Sequence, residues 1–139
     1  MPALGMPTIY GTKFTIGIIK KSMEEAGLLP YTTFVEVDAS SWQKIKVWSF
    51  DVEYFNVNHS VPDCAWIYLE SPKGTKIVHT WDFKIDHTPA IDKPADLDRI
   101  AEIGKRGISL FLSDSTGSTR KGFSMSEKKC LRRIRKNCC

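Results

Sequence analysis

An α+β chain, with mixed sheets and flanking helices, is the fold class this sequence predicts. Three observations lead there. The predicted elements run helix, several strands with antiparallel-looking connections, helix, strand, an order that suits a mixed α/β sandwich better than a doubly wound parallel sheet. The 139 residues suffice for one domain with a real core. An apolar share of 42% and a charged share of 26% are those of an ordinary globular protein.

Each element has a local reason. Thr12 reads as a helix N-cap ahead of an apolar stripe of Ile16, Ile19 and Met23, with Gly27 as the terminator and Pro30 shortly after. Thr33 to Val37 then reads as a strand. Residues Phe50 to Val57 alternate, with Phe50, Val52, Tyr54 and Asn56 sharing one face. Two short apolar runs, Ala65 to Leu69 and Lys76 to His79, flank the turn signal Ser71-Pro72-Lys73-Gly74 and predict a hairpin. Asp96 is placed to cap a helix carrying Leu97, Ile100, Ala101 and Ile103, which ends near Gly104 or Gly107. Ile108 to Leu112 follows as a buried strand. The chain contains no internal repeat and no low-complexity segment.

Charge is unevenly spread. The net charge is +4, yet from Arg120 onward eight basic residues face one acid, Glu127, so the first 119 residues are net acidic. Residues 128–139 are expected to form a basic, cysteine-containing tail that is not native-like, which leaves residues 1–127 as the domain. Such a tail can touch phosphate backbones, although a solvated end is the blander reading. The four cysteines, Cys64, Cys130, Cys138 and Cys139, form no C-x-x-C pair and no regular framework, so free thiols are expected rather than a disulfide scaffold or a zinc ribbon. No apolar run approaches a membrane span. The first eleven residues lack a basic region and a cleavage site, which favours the cytoplasm.

Two constellations could carry chemistry. Asn58-His59-Ser60-Val61-Pro62-Asp63 and His79-Thr80-Trp81-Asp82-Phe83-Lys84 each follow a predicted strand. Imidazole and carboxylate on strand-end loops are the donors that zinc or manganese takes. Histidines beside turns also serve as hydrogen-bonded structural residues, and the residues alone leave both readings open.

In order and with natural spacing, the chain resembles the ribonuclease J family over residues 7–128. The likeness rests on Tyr10-Gly11-Thr12, the Asn58–Asp63 run, His79–Asp86, and Leu112-Ser113-Asp114-Ser115-Thr116 followed by Gly122-Phe123 and Ser126-Glu127. The resemblance implies a partial metallo-β-lactamase αββα sandwich. It implies a parent that hydrolyses RNA phosphodiesters in 5′–3′ exonucleolytic and endonucleolytic modes, with RNA as partner, no membrane and a dimeric or tetrameric assembly. It implies His59 as a ligand of one ion in a two-metal centre, with zinc or manganese as the metal. Asp82 matches the carboxylate that bridges the ions, and Asp114 the acidic residue that opens the family's β-CASP module. In such centres the cations, roughly 3.5–4 Å apart, generate hydroxide at neutral pH and offset transition-state charge. Ser60 and Thr80 are expected to orient the ligands, His79 to be an interior hydrogen-bonded residue, and His87 to be exposed.

Much of the family pattern is absent. The His-x-His-x-Asp-His motif that supplies most ligands does not occur in these 139 residues, nor does the late histidine. Two ligands cannot complete a tetrahedral zinc site, so the chain alone is expected to be inactive, and to be aggregation-prone through uncovered sheet edges. Two other readings stand beside this one. One is a metallo-β-lactamase-fold hydrolase of a small ester or lactone, against which the Ser-Asp-Ser-Thr run argues. The other is a non-catalytic remnant that binds RNA through its basic tail.

All four tryptophans (Trp42, Trp48, Trp66 and Trp81) fall where the resemblance expects glycine. At an average glycine usage of about 7%, three such coincidences arise about three times in 10⁴. The expectation is that these codons are UGA, which some bacteria read as glycine. An indole at position 81 would otherwise overpack and distort the site beside Asp82.

Overall fold

The computed structural model describes residues 5–137, with side chains described through Arg135. Cys138 and Cys139 lie outside the described residues. Three helices and two sheets make up an α+β fold, the expected class, consistent with a portion of a metallo-β-lactamase sandwich.

A short strand β1 (Thr8–Gly11) leads into helix α1 (Lys13–Glu25) and a single 3-10 turn at Leu29–Tyr31, and then strand β2 (Thr33–Glu36). Thr12 stands at the N-cap of α1, but its hydroxyl bonds to Thr15 Oγ1 at 3.1 Å rather than to a backbone N–H. At the other end the Gly27 N–H reaches Glu24 O and the Leu28 N–H reaches Met23 O, a Schellman closure that needs Gly27 at φ +68°. The two strands pair in parallel, Thr8 opposite Thr33, as a two-stranded sheet, with α1 as the crossover. Neither β1 nor the next strand, β3 (Lys44–Val47), is among the elements expected from the sequence.

The second sheet holds β3, β4 (Phe50–Asn56), β5 (Ala65–Glu70), β6 (Lys76–His79) and β7 (Leu110–Leu112), in that order. All neighbours are antiparallel except β6 and β7, which helix α2 (Leu97–Gly104) separates in sequence and which run parallel. The Ser71–Gly74 signal makes the expected hairpin, with Gly74 N–H on Ser71 O. Asp96 caps α2 by accepting the Arg99 N–H at 2.9 Å. The core comprises Phe55, Val57, Trp66, Tyr68, Val78 and Ile103. Strand β4 is covered on both faces towards its end, since Val52 and Asn56 are buried as well as Glu53 and Phe55. The strand expected as buried at Ile108–Leu112 is instead an exposed edge: Leu110, Phe111 and Leu112 are 46%, 55% and 42% exposed. As the last strand of the sheet, it has β6 on one side alone.

Two buried charges fasten the helices to this sheet. Glu53, 1% exposed, takes Arg99 on one carboxylate oxygen and Arg106 on the other, the latter at 2.7 Å, and Glu102 pairs with both arginines. The Arg106 guanidinium also lies 5.0 Å over the Tyr68 ring, whose hydroxyl burial helps push up to about 12. The basic segment expected as a tail forms helix α3 (Glu127–Asn137). Its first turn is held by Asp86, which accepts the Glu127 N–H at 2.8 Å and the Thr88 N–H at 2.9 Å and pairs with Lys84 at 3.3 Å. Burial pushes the Asp86 carboxyl up, but these N–H groups and the Lys84 ammonium outweigh it and hold the group below the usual carboxylate range. No helix among the described residues is long and apolar enough to cross a membrane.

Two outcomes follow from these charges. Removing the Glu53 carboxylate strands two arginines, so Glu53→Ala is expected to cost about 3–5 kcal/mol in urea unfolding, against less than about 1 kcal/mol for the exposed Lys20–Glu36 pair. A loss no larger than the surface control would show that the link is not structural. Because the folded Asp86 pKa is depressed, its contribution to stability is full above the unfolded value of about 3.9 and fades as pH falls through the folded value. Helicity from α3 should therefore drop in acid, and Asp86→Asn should flatten that dependence in circular dichroism. An unchanged acid profile would remove Asp86 as the anchor.

Candidate metal centre

Strand direction brings the candidate residues together. Strands β4 and β6 both run antiparallel to β5, and β7 runs parallel to β6, so all three share one direction. The loops leaving their C-terminal ends carry His59, Asp82 and Asp114 respectively, and they emerge at the same end of the sheet.

Short polar contacts then tie loop to loop. The Lys84 N–H donates to Asn58 O at 2.7 Å, an isolated bridge that fastens the Asp82 loop to the His59 loop. The buried Asn58 amide spends its oxygen on the Ala95 N–H at 2.9 Å and its nitrogen on Lys93 O. Thr80, fully buried, gives its N–H to Leu112 O at 3.0 Å, donates its hydroxyl to Trp81 O at 2.8 Å, and accepts the Asp114 N–H at 3.0 Å. The loops of Asp82 and Asp114 are thus clamped through one hydroxyl.

Asp82 and Asp114 line one cavity of about 280 Å³, together with His79, Trp81, Leu112 and Ser113. Hydrogen bonds from the Thr116 hydroxyl and backbone N–H and from the Ser115 N–H hold the Asp114 carboxyl below the usual range, and the nearby His59 adds to this. His59 lines a different cavity, against Ile91 and the Leu131 and Ile134 face of α3, with Ser60 Oγ 3.2 Å from its Nδ1. His79 accepts the Trp81 N–H on Nδ1 at 3.0 Å, which places its ring proton on Nε2. The exposed His87 takes no part.

The Trp81 indole does not close the site. It is 58% exposed and lies tilted against the His79 ring at 4.2 Å, so the cost of the residue falls on its backbone, at φ +52°, rather than on packing. Trp81, again with Asp82, also lines a second cavity of about 390 Å³ that includes Tyr10, Tyr54, Asp63 and Cys64. Burial, and then the charges of Asp92, Asp63 and Asp82, push the Cys64 thiol up. Sequence reasoning singled out neither Asp63, the last residue of the Asn58–Asp63 run, nor the adjacent Cys64 as a site residue.

The donor set does not by itself suit a metal ion. Among the described residues no three His, Cys, Asp or Glu side chains come together as a group that could hold one. No metal-dependent step is therefore assigned to these 139 residues.

No family model matches the chain. It is 39% identical over 119 residues to ribonuclease J of Helicobacter pylori (strain ATCC 700392 / 26695), an overlap of 86% of this chain and 17% of that protein. Against ribonuclease J of Mycolicibacterium smegmatis the identity is 40% over 119 residues, covering 86% of this chain and 20% of the relative. Against that of Thermus thermophilus it is 35% over 127 residues, covering 91% and 22%. The chain spans about a fifth of the length of the curated relatives it matches. These matches identify it as the counterpart of a segment of ribonuclease J.

Proposed function

We propose that this segment supplies part of the catalytic centre of a metal-dependent ribonuclease. In this reading His59 and Asp82 are two of the ligands of a divalent-metal pair, zinc before manganese. Asp114 is the acid beside them, and RNA is the substrate, cut by exonucleolytic and endonucleolytic phosphodiester hydrolysis. The working assembly is a cytoplasmic dimer or tetramer. The observation that carries the reading is the convergence of three parallel-running strand ends, with Asp82 and Asp114 facing one cavity and clamped through Thr80. A scaffold that spends a buried hydroxyl and a buried amide on fixing loops is what a precise polar site requires.

The 139 residues alone do not complete the centre, because the remaining donors must come from outside the described set. Asp82 shares one cavity with Asp114 and another with Asp63, so its carboxylate neighbours disfavour a bare phosphate beside it.

A chimera tests this. Residues 7–128 would replace the matched segment of the Helicobacter pylori ribonuclease J, and cleavage of a labelled RNA would be followed with zinc or manganese. The chimera should cut, and the isolated chain should not. Asp82→Asn in the chimera should lose more than Thr80→Val, for which the roughly 10–100-fold of an outer-shell change is expected. RNA cleavage by the isolated chain that survives a chelator, or an Asp82→Asn chimera as active as its parent, would overturn the assignment.

A further inference from the structure

Four non-glycine residues among those described have positive φ, and three of them are tryptophans: Trp42 at +56°, Trp48 at +54° and Trp81 at +52°, with Asp63 as the fourth. Non-glycine residues take such angles in a few per cent of cases, with Asn, Asp and His several-fold enriched among them. Three of four tryptophans doing so by accident is an event on the order of one in 10⁴. An L side chain pays for this conformation with a contact between Cβ and the following carbonyl, and glycine alone escapes it.

The side chains do little to explain the angles. Trp48 is 94% exposed, so its indole packs against nothing. It is the first residue of the two-residue turn that closes the β3–β4 hairpin at the Val47–Phe50 pair, and tight hairpins with a positive φ there favour glycine. Trp81 is 58% exposed. Trp42 is the mixed case, since its indole donates to Asp96 at 2.7 Å and lies 4.7 Å from the Arg99 guanidinium. Trp66 differs: it sits within β5, buried among Phe55, Phe83 and Phe111, at an ordinary strand angle.

We propose that residues 42, 48 and 81 are glycine in the protein as its own cell makes it, the codon being decoded as glycine, and that glycine at 81 joins the two cavities flanking Asp82 into one cleft. The geometry of the second part is direct. Trp81 and Asp82 are the residues common to both cavities, so residue 81 stands between the His79–Asp114 side and the Tyr10–Cys64 side. Without the indole Asp82 stands in the floor of a single opening, and position 81 is a positioning residue for whatever Asp82 holds. The glycine assignment stands on the backbone alone; the cleft's importance rests on the reading of Asp82 given above.

Peptide mass mapping of the protein from its source cells decides the first part. Peptides spanning positions 48 and 81 should be lighter by the difference between tryptophan and glycine, and tryptophan masses would overturn it. In the full chain made with tryptophan, Trp48→Gly and Trp81→Gly should each raise the folding equilibrium constant roughly fivefold, whereas Trp48→Ala, still strained, should not. Equal effects of glycine and alanine at 48 would assign the gain to the exposed indole and sink the backbone argument. For the cleft, Trp81→Gly should speed alkylation of Cys64, located by mass, and leave the exposed Cys130 unchanged. A Cys64 rate that does not rise in the folded variant would refute the joined cleft, whatever the outcome of any RNA-cleavage assay.

Discussion

The geometry of the site depends on the hydrogen bonds of one buried amide. Asn58 is 1% exposed, and its backbone carbonyl and both side-chain groups are taken: by the Lys84 N–H, the Ala95 N–H and the Lys93 carbonyl. Three stretches of chain meet there: the exit of β4, the loop after β6 and the approach to α2. A residue with fewer polar groups would leave buried donors and acceptors unpaired, each costing on the order of 1–3 kcal/mol. The position of Asp82 relative to His59 is therefore set by an asparagine that would touch no substrate.

The next constraint is ionic. The segment that bonds to Asn58 leads into α2, and α2 is locked on the sheet by the Glu53 link to Arg99 and Arg106. Burying a carboxylate is unfavourable unless its oxygens are fully partnered, which is why Glu53 meets two guanidiniums and Glu102 shares them. Order passes from the sheet centre through this cluster to α2, and from the α2 N-terminus back to Asn58. The periphery is looser in design. The exposed apolar row on β7, together with Phe14 and Ile18 on α1, leaves uncovered surface of the kind that seeks a neighbour.

Local chemistry made a good part of this legible in advance. The Asp96 cap, the Gly27 terminator and the Ser71–Gly74 turn each act within a few residues, so the sequence announces them. Strands β1 and β3 were not announced. Lys44-Ile45-Lys46-Val47 does alternate, but it is four residues long, and its lysines are those of an edge strand. The strand at Leu110–Leu112 was foreseen and its burial was not, because an apolar run reads the same whether or not another layer covers it. For the site, His59, Asp82 and Asp114 could be named from motif resemblance. Their convergence follows from the shared direction of β4, β6 and β7, which no local pattern encodes. The separation of His59 into a different cavity depends on α3, whose Leu131 and Ile134 line that cavity.

The left-handed residue at position 81 follows from the same logic. His79 must end β6 in register with Leu112, and Thr80 must turn inward to hold the Asp114 N–H on its hydroxyl. The Trp81 N–H then folds back onto His79 Nδ1, and by residue 84 the chain must already be bonded to Asn58 O. That leaves residues 81 to 83 to make the turn, and the positive φ falls at the first of them. The angle at 81 is thus dictated by its neighbours' hydrogen bonds, and the side chain carried there is along for the turn. A glycine meets the requirement without strain; a tryptophan meets it only because the clamps on either side outweigh its cost.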